Sequence, residues 1–274
     1  MIGVMQKGKN EITVQRFPRS RLSTVDLGRI GLHRHHIAAL LEVDVTRARR
    51  QIRIVNRGGQ SAVSFIAWLI SNVARSLAAH PEAHAVRLGR RKIATFDSVN
   101  VSIMVEREVA HIRVPLPILI TGADSKTVSE IERVIQQARS EPVDPATVVI
   151  GRERGGFAMR LYYTLPGFLR RGLLQLVLRN PRRLHRTMGS VVVTSVGMGG
   201  RVRGWFIPRS MQPVCIGIGA VTPKAVVVNG AIEPREVLHM TVLVDHDVVD
   251  GAPASRWIAE LLRTMENARE LHLN

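Results

Sequence analysis

The chain has 274 residues, 45% apolar and 22% charged, which is enough to bury a full core in one large domain or two small ones. A lone cysteine, Cys215, excludes an internal disulfide and a thiolate metal cluster. No apolar run reaches the ~20 residues that span a bilayer, and the first ten residues lack the apolar segment of a signal peptide, so a soluble, cytoplasmic protein is expected. The formal charge of +17 is concentrated: residues 1–57 carry twelve basic against four acidic residues, and 151–190 carry nine arginines against Glu153 alone. Such a field steers anions, whether nucleic acid, an acidic membrane, a phosphorylated cofactor or an acidic carrier protein, without choosing among them.

In chain order, Leu40 to Thr46 alternates as a strand does, and Ala62 to Ala79 carries Phe65, Leu69, Val73 and Leu77 at helical spacing. That helix should stop at Ala79, because Pro81 disfavours helical geometry at His80. Val99 to Val105 is a second alternating strand, and Val114 to Ile120, punctuated by Pro115 and Pro117, suits a sheet edge. A helix opening at Asp124 runs to about Ser140; Ser125 or Thr127 could cap it, and Thr127 with Glu130 fits a capping box. Between 155 and 188 lies a basic and apolar segment in which a helix over Gly172 to Asn180 would be apolar around much of its circumference and basic at both ends. Val191 to Ser195 and Pro213 to Ala220 are short β-branched strands, the second holding Cys215 as an inert buried thiol. Val237 to Asp245 alternates again, and a final helix from Ala252 to about Leu271 buries Trp257, Ile258, Leu261, Leu262 and Met265. Interspersed strands and helices without repeats or low-complexity linkers favour a single α/β domain.

The sharpest chemical signal is His246, placed where the last strand gives way to Asp247, Val248, Val249, Asp250 and Gly251. An imidazole at a strand end is well placed to move protons. Other clusters carry less. His33, His35 and His36 have no second set of ligands at metal-binding spacing, so no bound metal is expected. Gly197-Met198-Gly199-Gly200 lacks the Lys-Ser/Thr of a phosphate loop. Aromatic residues at 4% and the lack of a recognised module argue against nucleic acid as the partner.

Five ordered blocks over roughly 35–270 carry a family resemblance: Leu41 to Thr46, Ala78 to Glu82, Ser125 to Ile131, Ile216 to Ala220, and Val244-Asp245-His246-Asp247-Val248-Val249-Asp250-Gly251-Ala252. They resemble the catalytic domain of the acyltransferase components of 2-oxoacid dehydrogenase complexes and, more distantly, chloramphenicol acetyltransferase. The resemblance implies a two-layer α/β sandwich, a mixed sheet covered by helices, and a homotrimer or multiple of trimers with active sites between subunits. It implies acyl transfer between coenzyme A, or a phosphopantetheine thioester on a carrier, and an acceptor. His246 would be the general base and Thr194 the oxyanion donor, with Ser195 as the competing assignment. Asp250 would anchor the His loop through Arg19 or Arg21, Gly251 would complete the motif, and His36 would line the substrate channel. Asp247 departs from the usual Arg. No lipoyl or subunit-binding domain is read in 1–274, so a lipoyl group would come from another protein; the 155–188 segment, longer than the family's loop there, would contact a membrane interface, a long acyl chain or an acidic carrier protein, or else pack its leucines on the domain or on a neighbouring subunit. A catalytically idle scaffold, or a basic nucleic-acid- or membrane-binding relative, is the alternative.

Overall fold

The computed structural model describes residues 17, 20–59, 62–109, 112–141, 162, 164–195 and 203–268. Helix α1 (Ser20–Gly31) leads into strand β1 (His36–Asp44), and helices α2 (Thr46–Arg57) and α3 (Phe65–Ala79) follow. A two-stranded hairpin, β2 (Val86–Leu88) and β3 (Lys92–Ala94), precedes β4 (Val101–Val109), β5 (Ile112–Ile120) and α4 (Val128–Ser140). Helices α5 (Gly167–Leu178) and α6 (Pro181–Met188) come before β6 (Val191–Ser195), β7 (Val214–Val228), β8 (Ala231–Asp245) and α7 (Gly251–Glu266). Six strands form one mixed sheet in the order β1-β8-β7-β6-β4-β5, parallel at β4-β6 and β6-β7 and antiparallel elsewhere.

One sheet face is buried. Val43, Val193, Ile216, Ile218, Met240 and Val242 pack with Trp68, Ile131 and Trp257 from α3, α4 and α7, giving the expected two-layer arrangement. Strand residues of the other parity, including Thr194, Gly217 and Thr241, face the opposite side by the two-residue period of a strand. An extended run through Phe206 and Pro208 lies over that side, close enough that a Cβ on Gly217 would sit 3.0 Å from the Phe206 carbonyl oxygen, which makes glycine the fitting residue there.

Several boundaries move for local reasons. The strand expected over Leu40 to Thr46 begins at His36 and stops at Asp44, whose carboxylate accepts the Thr46 N–H at 2.9 Å and turns the chain into α2, a helix that alternation did not foretell. Helix α3 starts at Phe65 rather than Ala62, because the Ser64 hydroxyl caps it by accepting the Ala67 N–H. The Thr127–Glu130 capping box is present in full, with a short 3₁₀ turn over Ala123–Ser125 standing before it. The last helix closes at Glu266, and residues 269–274 lie outside the described set.

The segment over 164–188 differs most. Instead of one helix over Gly172 to Asn180 there are two, because Pro181 cannot continue a helix and Asn180 caps the new one by accepting the Arg182 and Arg183 N–H groups. Leu174, Leu178 and Leu184 join Val86 and Met211 in a second, smaller core, with Leu27 and Ile30 of α1 packed against it. Arg170, expected on a docking surface, is instead buried: its Nε donates to Asp26 of α1 at 2.8 Å, and Asp26 is 1% exposed. Tyr162 also donates to Asp26, and Arg171 stands 3.7 Å from it. A carboxylate so far from water must be paired, and this pair fixes α5 to the first helix.

Candidate active site

The turn after β8 carries His246, and the residue before it holds the turn in place. Asp245 is 1% exposed and fully engaged: Arg34 Nη1 donates to Oδ2 at 2.6 Å and the Asp247 N–H to Oδ1 at 3.2 Å. Its carbonyl accepts the N–H groups of Val248 and Val249, and its own N–H donates to the Pro213 carbonyl. The His246 N–H donates to the His35 carbonyl at 2.9 Å, so the backbone under the imidazole is tied on both sides while the ring itself is exposed.

Two further histidines flank the turn. His36, paired across the sheet with Asp245, has its Nε2 3.0 Å from the Gln212 carbonyl, and burial pushes its pKa down. His35 Nδ1 meets Asp247 Oδ1 at 2.9 Å; this hydrogen bond raises the imidazole pKa and lowers that of the Asp247 carboxyl. Arg87 stands 3.8 Å from the same carboxylate. Asp247 thus binds its own histidine neighbour rather than standing as an isolated charge reversal.

Thr194 and Ser195 occupy opposite faces of β6. Ser195 shares its face with Val193, toward the helices, and its Oγ is buried with no hydrogen-bond partner among the described residues. Thr194 lies on the face away from the helices, in register with Gly217, which pairs in turn with Thr241 of β8. Asp245 is four residues beyond Thr241 and β8 is two strands from β6, so Thr194 and Asp245 are roughly 16 Å apart within one chain at ordinary strand spacings. His246 is a further residue away. One chain therefore does not bring His246 and Thr194 together.

Asp250 is exposed at the N-cap of α7 and makes no side-chain cap bond; in the isolated chain the carboxylate that ties down the His246 turn is Asp245. Arg21 is exposed on α1, whereas Arg19 and residues 197–200 lie outside the described set. Gly251 opens α7 with free space around it. His33 lines a cleft of about 320 Å³ with Arg29, Leu32, Arg171 and Gln175 rather than joining its histidine neighbours. Cys215 is buried, and desolvation pushes its thiol up to about 12. Sequence reasoning missed Asp245 and Arg34, although the acidic residue just before His246 was visible in the motif.

The sequence of residues 182–273 matches the family described as 2-oxoacid dehydrogenases acyltransferase (catalytic domain). The fold of nearly the whole chain matches the cubic core of the pyruvate dehydrogenase multienzyme complex, with a TM-score of 0.67, 16% identity and 96% of each chain covered. Its last third is thus similar in sequence to 2-oxoacid dehydrogenase acyltransferase catalytic domains, and nearly its whole length shares their fold. The dihydrolipoamide acetyltransferase of Azotobacter vinelandii has the same fold, with a TM-score of 0.66, 17% identity and 96% of each chain covered. The acetyltransferase component of the pyruvate dehydrogenase complex of Rickettsia prowazekii is 32% identical over 79 residues, 29% of this chain and 19% of that one. The chain spans between 19% and 38% of the length of such curated relatives. Neither α5 nor the Arg170–Asp26 pair falls within the part of the chain that the family sequence covers.

Proposed function

We propose that the chain is a catalytic domain that moves an acyl group between coenzyme A, or a phosphopantetheine thioester on a carrier, and a thiol acceptor such as a lipoyl group. The observation that carries this reading is the geometry of His246, an exposed imidazole on a turn locked by a buried carboxylate, in a fold shared with acyltransferase cores. The Azotobacter vinelandii enzyme is described with a serine, a histidine and an asparagine in its catalytic mechanism, the histidine 52 residues after the serine and four before the asparagine. Here His246 follows Thr194 by the same 52 residues and precedes Asp250 by the same four, which supports Thr194 over Ser195. The faces of β6 agree, since Ser195 points into the helix-covered core.

In this reading His246 takes the proton of the acceptor thiol as its sulfur attacks the thioester carbonyl. The tetrahedral oxyanion accepts a hydrogen bond from the Thr194 hydroxyl, and its collapse expels the donor thiolate, which recovers the proton from the imidazolium. The roughly 16 Å between Thr194 and Asp245 in one chain supports a hydroxyl supplied by a neighbouring subunit, so the active unit in this reading is an oligomer, taken as a trimer from the family resemblance. His36, beside the turn and half-buried, borders the path to His246. Asp245 and Arg34 keep the turn rigid, and Asp250 and Gly251 shape the start of the helix beyond it.

With acetyl- or succinyl-coenzyme A and dihydrolipoamide, His246→Ala should lower kcat at least ~100-fold with little change in the donor KM, because base catalysis acts in the transition state. Thr194→Ala should lower kcat by roughly the same order, and Ser195→Ala much less. Unchanged turnover in His246→Ala would remove this assignment.

A further inference from the structure

The exposed side of α5 has no place in the chemistry above. Phe168 and Leu169, Gly172 and Leu173, and Leu176 and Val177 recur every four residues, so they share one side of the helix, while Arg170, Leu174 and Leu178 hold the other side against the protein. Phe168 and Leu176 are each 66% exposed and Leu173 is 50% exposed. That is a continuous apolar face, on a helix that the Arg170–Asp26 pair keeps from rolling inward to hide it. Isolated surface leucines need no explanation, but a whole helical face does.

What surrounds the face selects its partner. Arg179, Arg182, Arg183 and Arg186, all exposed, extend it through α6. A groove of about 480 Å³ lined by Leu88, Leu176, Arg179 and Arg182 joins it to the β2–β3 hairpin, whose turn exposes Arg90 and Arg91. The sequence contains no acidic residue between Glu153 and Glu233. A two-fold contact between copies through this face would set arginine against arginine without a carboxylate from that stretch to neutralise them. An apolar helical face bordered by arginines matches instead a surface that is greasy below and anionic above.

We propose that α5 and α6 form a peripheral docking surface for an anionic phospholipid bilayer, with Phe168, Leu169, Leu173, Leu176 and Val177 entering the interface and Arg179, Arg182, Arg183 and Arg186 facing the headgroups. No described helix is long and apolar enough to cross the membrane, so the contact lies in the plane of the interface. The acyl-transfer reading plays no part in this argument.

The test is flotation of the full chain with vesicles of phosphatidylcholine alone or with phosphatidylglycerol added. The wild type should bind the anionic vesicles, more weakly as salt rises, and leave the neutral ones largely free. Arg182→Gln with Arg183→Gln should weaken binding roughly 20- to 30-fold at low salt, since each basic residue at such a surface contributes about fivefold. Phe168→Glu with Leu176→Glu should abolish it, with circular dichroism and particle mass unchanged, because both residues are already exposed. A wild type that ignores anionic vesicles, or glutamate variants that still bind them, would overturn the proposal. Glutamate variants that change the particle mass while vesicle binding persists would also overturn it, by making the face a contact between subunits.

Discussion

Mixing two inactive variants tests whether the site is shared between chains. Particles of His246→Ala retain every Thr194 and lack the base; particles of Thr194→Ala retain every His246 and lack the hydroxyl donor. The in-register path from Thr194 through Gly217 and Thr241 to Asp245 leaves roughly 16 Å between backbones, and a threonine and a histidine side chain together close less than half of that. If each site takes His246 from one subunit and Thr194 from the next, random assembly of equal amounts restores both groups at about one site in four. Co-expression of the two variants with different tags, followed by tandem purification that discards unmixed particles, leaves one complete site in every mixed trimer, so a thioester-transfer assay should recover about a third of wild-type activity per site. The separate variants should stay at least ~100-fold down under the same conditions. Verified mixed particles that remain as inactive as their parents would refute the shared site, as would a wild-type monomer that turns over substrate at full rate.

Two predictions concern stability. His84 is fully buried, with Nδ1 on the Ser190 hydroxyl at 2.8 Å, and burial lowers its pKa to about 4. The unfolded chain, with an ordinary imidazole near 6.5, binds the proton first, so stability should be flat above that pH and fall by up to about 3 kcal/mol as pH drops from about 6.5 to about 4. Burial also lowers the pKa of His36 and His185, which adds to the trend; denaturant melts of wild type and His84→Gln should show a shallower acid slope in the variant, and equal slopes would contradict the assignment. Arg170→Met strands the buried Asp26 carboxylate and should cost about 3–5 kcal/mol, with much of it recovered by adding Asp26→Asn; thermal melts of the single and double variants measure this, and a neutral single variant would show the pair to be unimportant.

The framework was legible because most of it is local. The Thr127–Glu130 box lies within four residues, β6 is a run of β-branched residues at its observed bounds, and the prolines of β5 marked a sheet edge before any fold was known. The features missed depend on partners far along the chain. Arg170 looked like a docking arginine because Asp26, 144 residues earlier, had no visible link to it. Asp245 looked like one more residue of an alternating strand, and only the approach of Arg34 from 211 residues away makes it the anchor of the His246 turn. Helix α2 went unread because its arginines obscure the buried pair Ala48 and Ile52. Periodicity reports which face of an element is apolar; it carries no information about which distant charge will end up beside which.

The two edges of the sheet bear on aggregation. Strand β5 is one edge, and Pro115 and Pro117 deprive its backbone of two N–H donors, so an incoming strand would find those ladder positions empty. Strand β1 is the other, where the Trp205 indole donates to the Leu41 carbonyl at 2.8 Å. The β5 border offers no unbroken template for strand-by-strand growth, so ordered assembly on that side must be made through side-chain surfaces rather than by continuing the sheet.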